Sequence, residues 1–160
     1  MPIRLELNLT YAARRPWAPR RAQFERWAGA ALAHATPASK AGHAVLSVRV
    51  VGAAGSRSLN RRYRGKDRPT NVLSFDGAGL LPDGRRYLGE LVICAPLAAR
   101  EAAAQGKKAP AHWAHLTVHG ILHLLGLDHE RPADARRMEG QEVQILDRLG
   151  FSNPYASSGA

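Results

Sequence analysis

The first third of the chain alternates between a strand pattern and a helix pattern. From Ile3 to Tyr11 apolar side chains occupy every second position, which is typical of a half-buried β-strand. From Pro19 to Thr36 apolar residues recur at spacings of three and four, which predicts a helix with one buried face. The valine-rich run from Ala44 to Val51 predicts a second strand. These elements indicate a fold that mixes helices and strands.

The middle of the chain predicts one short helix and two further strands. The helix covers Ser56 to Tyr63, with Ser56 as its cap. The strands cover Asn71 to Phe75 and Tyr87 to Ala95. Between them lie two turn signals, Asp76-Gly77 and Pro82-Asp83-Gly84, so a hairpin-like connection is predicted.

Three helices are predicted to close the chain: Pro96 to Gln105, Pro110 to Leu125 and Asp134 to Leu149, each followed by a glycine. The whole pattern predicts an α+β fold, a small mixed four-stranded sheet packed against about five helices. A length of 160 residues fits one domain, expected to span residues 1–156. Residues 157–160 are expected to form a frayed tail.

Charge and cysteine content narrow the setting of this domain. Lys and Arg number 23 against 13 Asp and Glu, and the resulting net charge of +10 suits a polyanionic partner such as RNA or DNA. A solvated basic surface would give the same composition, so charge alone does not decide. Cys94 is the single cysteine and lies in an apolar run, which predicts a buried thiol in a reducing compartment. With no apolar stretch near the roughly 20 residues that span a bilayer, we expect a cytoplasmic protein without a membrane partner.

The clearest indication of a functional site is a group of closely spaced histidines. Five of the seven histidines lie between positions 112 and 129. His119 and His123 are four residues apart on a predicted helix and therefore share one face. Gly126 tolerates left-handed backbone angles, so the chain can turn and bring His129 back to the same point. Three neutral histidines suit Zn²⁺ and leave a fourth position open, which predicts a catalytic metal site.

Other readings of the histidines are weaker. His115, His119 and His123 would span about 12 Å along a helix, too far for both ends to reach one ion, so His115 is expected to pack or to support the site. His112 is expected to be an ordinary surface or capping histidine. A structural zinc would need four protein ligands, usually including cysteine, and Cys94 is alone.

The histidine spacing also matches that of the metzincin metalloproteases. Gly120, however, stands where those enzymes have the glutamate that takes a proton from water. The ligands match and the general base does not. A metzincin-like protease is therefore the second hypothesis rather than the first.

The run His119-Gly-Ile-Leu-His-Leu-Leu-Gly-Leu-Asp-His129 resembles the signature of the YbeY family of bacterial endoribonucleases and ribosomal RNA maturation factors. The resemblance extends to Leu59–Phe75, to Leu88–Cys94 and to a closing segment from Met138 to Tyr155, and so covers most of the chain after residue 45. Glu90 departs from the family pattern, in which aspartate is commoner at that position.

This resemblance implies a zinc ion on His119, His123 and His129, and Arg64 facing the metal cleft. It further implies single-stranded RNA as the substrate and a role at the ribosome, in ribosomal RNA maturation and quality control. On this basis the favoured function is a zinc-dependent endoribonuclease. A non-catalytic ribosome assembly factor that keeps zinc for stability remains an alternative beside the protease.

The segment around Arg64 supports RNA binding by its own composition. Five arginines and a lysine fall between positions 57 and 68, and Tyr63 among them could stack on a base. Asp67 could instead pair with one of these arginines, and the sequence leaves both possibilities open.

Overall fold

The computed structural model describes residues 3–36, 42–127 and 130–156. The strands are β1 (Arg4–Tyr11), β2 (His43–Val51), β3 (Val72–Leu80) and β4 (Arg86–Cys94). The helices are α1 (Arg21–Ala35), α2 (Ala53–Arg64), α3 (Ala95–Ala104), α4 (Ala109–Leu124) and α5 (Pro132–Arg148). The predicted α+β architecture is confirmed. None of the helices in this described part of the chain has the length and apolar character needed to cross a bilayer.

The four strands form one mixed sheet in the order β1-β2-β4-β3. β1, β2 and β4 run parallel, and β3 pairs with β4 in the antiparallel sense at one edge. The carboxyl ends of the parallel strands therefore meet at one end of the sheet. α2 and α3 start there, and β3 starts there too, because the Cys94 N–H donates to the Asn71 carbonyl oxygen at 2.9 Å. This end of the sheet carries the candidate site.

Both faces of the sheet are covered by helices. On one face, alternate residues of β2 and β4 join α1, α4 and α5 in the larger hydrophobic cluster. A smaller cluster on the other face lies beneath α2 and α3, and consists of Val51, Leu73, Val92 and Cys94 with Leu59 and Leu97 against it. Cys94 is fully buried, as predicted.

The β3–β4 hairpin corrects one prediction. Asp76-Gly77 is not a turn, because it lies within β3, at an irregularity of pairing between Asp76 and Gly79. A side chain at Gly77 would collide with the backbone of β4, beginning with the Tyr87 carbonyl oxygen, so this glycine permits a close approach of two strands. The reversal occurs at Pro82-Asp83-Gly84, the second predicted signal.

The start of α2 corrects a second prediction. The helix begins at Ala53 with Gly52 as its N-cap, so Ser56 lies inside the helix. Ser56 is 2% exposed; its Oγ donates to the Thr70 carbonyl oxygen at 2.8 Å and accepts from the Thr70 N–H at 2.9 Å. Its hydroxyl thus ties α2 to the segment before β3 instead of capping the helix.

Candidate functional site

A cleft of about 460 Å³ opens between α4 and the end of α2, at the carboxyl end of the parallel strands. It brings together three of the predicted site residues, Arg64, His119 and His123. The fourth, His129, lies outside the described residues. The other polar residues that line the cleft are Thr70, Asn71, Ser74, Glu101, Gln105, Lys107, His112, His115 and Tyr155.

Helix α4 presents one face to this cleft and the opposite face to the sheet. Between positions 112 and 123 only His115, His119 and His123 are not fully buried, as the helical period requires for residues of one face. Gly120 lies on the sheet side, where an added Cβ would come 2.7 Å from Leu91 Cδ2. Position 120 therefore faces the core, and no group there could serve the cleft. This geometry adds to the sequence argument against a metzincin-like base.

The turn after α4 has the predicted character. Gly126 has φ of 99°, in the left-handed region that favours glycine, and its N–H donates to the His123 carbonyl oxygen at 3.0 Å. The chain therefore leaves the helix at the predicted residue.

The most deeply buried charge at the site is Glu142 on α5, with no exposed surface. His115 Nε2 lies 2.8 Å from Glu142 Oε1, and His119 Nδ1 lies 3.3 and 3.4 Å from its two carboxylate oxygens. Burial alone would raise the pKa of this carboxyl group, but the hydrogen bonds from His115 and His119 outweigh burial and hold the pKa of Glu142 at about 2. In this geometry the Glu142 carboxylate accepts hydrogen bonds from both imidazoles.

The C-terminal segment completes this network. Tyr155 donates its hydroxyl to Glu142 at 2.8 and 2.9 Å, and its ring lies edge-on to the His115 ring with centroids 5.3 Å apart. Burial, and after it the charge of Glu142, raises the pKa of Tyr155 well above its ordinary value, so the phenol stays protonated. The predicted supporting or packing role of His115 fits these contacts.

A second histidine–carboxylate pair lies further along the cleft and corrects the prediction for His112. This residue is 3% exposed rather than on the surface, and its Nε2 lies 2.9 Å from Glu101 Oε1 on α3. The Asn71 amide also donates to Glu101, at 3.1 and 3.2 Å. Periodicity within α4 cannot show this pairing because the partner of His112, Glu101, lies on another helix, α3.

The opposite wall of the cleft is the end of α2. Arg64 is exposed and is the residue of this helix that lines the cleft. Arg57 forms a two-pronged ion pair with Asp67, at 2.7 and 3.0 Å, so the local pairing that the sequence left open is present. Tyr63 is 59% exposed, and its ring packs edge-on against Phe75 with centroids 5.1 Å apart. The Arg62 guanidinium lies over the same ring, 5.9 Å from its centroid.

Sequence reasoning missed Glu142 and Tyr155 as members of the site. A signal for Glu142 existed, because it falls at helical spacing among the buried residues Met138, Ile145 and Leu146 of α5. A charged residue in an apolar stripe is expected to be buried with a partner. For Tyr155 there is no comparable local signal.

The two predicted zinc ligands that the structure describes, His119 and His123, are arranged as zinc requires. Two imidazoles lie one turn apart on one helix face, and one of them is bonded to a buried carboxylate, an arrangement typical of zinc-binding histidines. Within residues 3–36, 42–127 and 130–156, no three histidine, cysteine or acidic side chains form a metal-binding group. The third predicted ligand, His129, is outside those ranges.

Comparison with known proteins identifies the class. The Endoribonuclease YbeY family matches residues 14–150 of the chain. The chain is 50% identical to Endoribonuclease YbeY of Stenotrophomonas maltophilia (strain R551-3) over 159 residues, which cover 97% of this chain and 96% of that protein. It is 51% identical to Endoribonuclease YbeY of Alkalilimnicola ehrlichii over 154 residues, which cover 94% of this chain and 91% of that protein.

The chain belongs to the Endoribonuclease YbeY family. The predicted family is thus confirmed, and with it, at the level of the family, the prediction of a hydrolase that acts on RNA. A solved structure supports the fold: the solution structure of a Thermotoga maritima protein is similar with a TM-score of 0.54 and 18% identity, covering 96% of this chain and 97% of that one.

Proposed function

We propose that this chain is a zinc-dependent endoribonuclease that cuts single-stranded RNA in the cytoplasm, in ribosomal RNA maturation and ribosome quality control. Its partners would be ribosomal RNA and the ribosome, and its functional unit the single domain 1–156. The observation that carries the proposal is the shared cleft, which joins His119, bonded to buried Glu142, with exposed Arg64. Family membership supports the same activity.

His119, His123 and His129 would hold the zinc ion. When bound, zinc supplies Lewis-acid stabilisation of negative charge on a phosphate oxygen. Arg64 would bind the same phosphate through its planar guanidinium and neutralise charge that develops during cleavage. The other exposed arginines of α2 would follow the RNA backbone, and Tyr63 would stack on a base beside it.

The nucleophile in this proposal is the ribose 2′-hydroxyl. It is already tethered beside its phosphorus, and this proximity can replace much of what a separate activated water would supply. Position 120 faces Leu91 and offers no base, while the Glu142 carboxylate is enclosed by three donors. Cleavage would therefore be slow and would leave a cyclic phosphate or a 3′-phosphate.

A pair of RNA substrates tests the nucleophile. Zinc-loaded protein is incubated with a single-stranded RNA and with the same strand carrying one 2′-deoxy substitution at the cut site. We expect cleavage of the first and none of the second at that position. Equal cleavage of both strands would show that water attacks and that a base has been overlooked.

Chelation separates the endoribonuclease from its alternatives. We expect RNA cleavage to stop when zinc is removed and to return when zinc is restored, with the folded state intact throughout by circular dichroism. If zinc were needed only for folding, its removal would unfold the protein. That result would favour the non-catalytic assembly factor. Peptide hydrolysis should be absent in every sample, because Gly120 stands where the metzincin proteases have their general base.

A further inference from the structure

The most deeply buried charge of the cleft is not among the predicted ligands. Glu142 lies on α5, 19 positions or more from His123 and His119 in the chain, yet it has no exposed surface and accepts hydrogen bonds from three residues around the cleft. Burial of a carboxylate is unfavourable unless the carboxylate is paired or hydrogen-bonded. We therefore expect a buried carboxylate such as that of Glu142 to orient the side chains that donate hydrogen bonds to it.

We propose that Glu142 is a positioning residue for the metal site: its carboxylate fixes the ring and tautomer of His119, and Tyr155 and His115 hold that carboxylate in place. This inference rests on the proposed zinc site. It assigns to α5 and to the C-terminal segment a share in binding a metal whose predicted ligands all lie between residues 119 and 129.

The hydrogen bonds set the tautomer. A carboxylate only accepts, so the His119 nitrogen that faces it, Nδ1, carries the proton. The lone pair then resides on Nε2, the nitrogen a metal would take. At 3.3 and 3.4 Å these contacts are long for N–H···O bonds, whereas the bonds from His115 and Tyr155 are 2.8 Å. The shorter bonds anchor the carboxylate, and the longer ones orient His119.

Tyr155 connects this role to the C-terminal segment. Tyr155 is 46% exposed, but its hydroxyl reaches the buried carboxylate. Phe151, four residues earlier, packs edge-on against Trp27 of α1 with ring centroids 6.4 Å apart. Phe151 and Tyr155 thus hold the segment after α5 against the rest of the domain. Loss of the Tyr155 hydroxyl would remove one of the two short bonds that fix Glu142, with little change in packing.

The cleft contains a matched control. Glu101 and His112 form a pair of the same chemistry, with 2.9 Å between Oε1 and Nε2, but His112 is not a predicted ligand. We therefore compare E142Q with E101Q and measure zinc affinity by competition with a chromogenic chelator. Both substitutions preserve side-chain size and remove one charge.

We expect E142Q to raise the zinc dissociation constant by about 10–100-fold, the range for loss of a partner that orients a metal-bound histidine. E101Q should leave it unchanged. Excess zinc should restore RNA cleavage to E142Q, because the substitution acts on metal binding. Y155F should give a smaller rise in the dissociation constant than E142Q.

Each contrary result has a distinct meaning. Equal zinc affinity in E142Q and the parent would overturn the positioning role, as would equal losses in E142Q and E101Q. Should E142Q fail to fold, unchanged zinc affinity in Y155F would overturn it instead. A parent protein that binds no zinc would overturn the proposed function as well, and that outcome is visible without any variant.

Discussion

The two walls of the cleft use charge in opposite ways. On the α4 side, Glu142 is fully buried and hydrogen-bonded to two histidines and a tyrosine, so its position is set before any ligand arrives. On the α2 side, Arg64 and its neighbouring arginines are exposed to solvent. Preorganised buried charge suits a metal that must be held in a fixed geometry. Exposed arginine suits a long polyanion whose phosphates exchange with counterions.

This contrast predicts separate consequences for substitutions in the two walls. Substitution of a predicted ligand or of Glu142 on the α4 side should weaken zinc binding, whereas a substitution on the α2 side should weaken RNA cleavage or RNA binding and leave zinc in place. A variant of one wall that shows the phenotype of the other would break the comparison.

The largest effect on the α2 wall is expected from Arg64→Ala. RNA cleavage should fall by about 100–1,000-fold, the usual loss when a group that stabilises transition-state charge is removed. Zinc content and thermal stability should stay at parental values because the side chain is exposed. Arg61→Ala is the matched comparison: this exposed arginine of the same helix does not line the cleft, so its loss should weaken RNA binding and lower cleavage far less than the loss of Arg64. Equal activity in the Arg64 variant and the parent would remove Arg64 from the site.

A smaller effect is expected where α2 is anchored. Ser56→Ala leaves the Thr70 N–H and carbonyl without their buried partner, so the free energy of unfolding should fall by about 1–3 kcal/mol. Ser58→Ala, an exposed serine of the same helix, should be nearly neutral. Urea denaturation of both variants measures the difference. Equal urea midpoints for the two variants would mean that the buried Ser56 hydroxyl does not stabilise the attachment of α2.

The smallest effect concerns salt. The logarithm of RNA affinity should fall linearly with the logarithm of salt concentration, and Arg64→Ala should make the slope shallower by about 0.7, the value for one phosphate contact to a single strand. The control is Arg85, which lies between β3 and β4 and is paired with Asp83 and with Glu6 of β1. Arg85→Ala should keep the parental slope. An unchanged slope in the Arg64 variant would show that this arginine makes no phosphate contact.

The sequence was informative where a feature depends on local period or spacing. The alternation in β1 and the three-and-four spacing in α1 predicted both elements, because each pattern matches a single backbone geometry. Likewise, the spacing of His119 and His123 was sufficient to place them on one face of α4. The left-handed angle of Gly126 followed from the need to end that helix.

Features that depend on contacts between distant segments were missed. The second half of β3 exists because Gly77 allows the backbone of β4 to approach, and a glycine after an aspartate looks like a turn when that partner is unknown. Ser56 looked like a cap because its partner Thr70 is 14 residues away. Glu142 and Tyr155 join the site only through packing of α5 and the C-terminal segment against α4.

Metal content tests the central claim most directly. Elemental analysis of the purified parent, of His129→Ala and of His115→Ala compares the third predicted ligand with a histidine predicted only to support the site. We expect one zinc ion per chain in the parent and in the His115 variant, and none in the His129 variant, because each ligand is one of only three from the protein. Undiminished zinc in His129→Ala would contradict the proposed metal site.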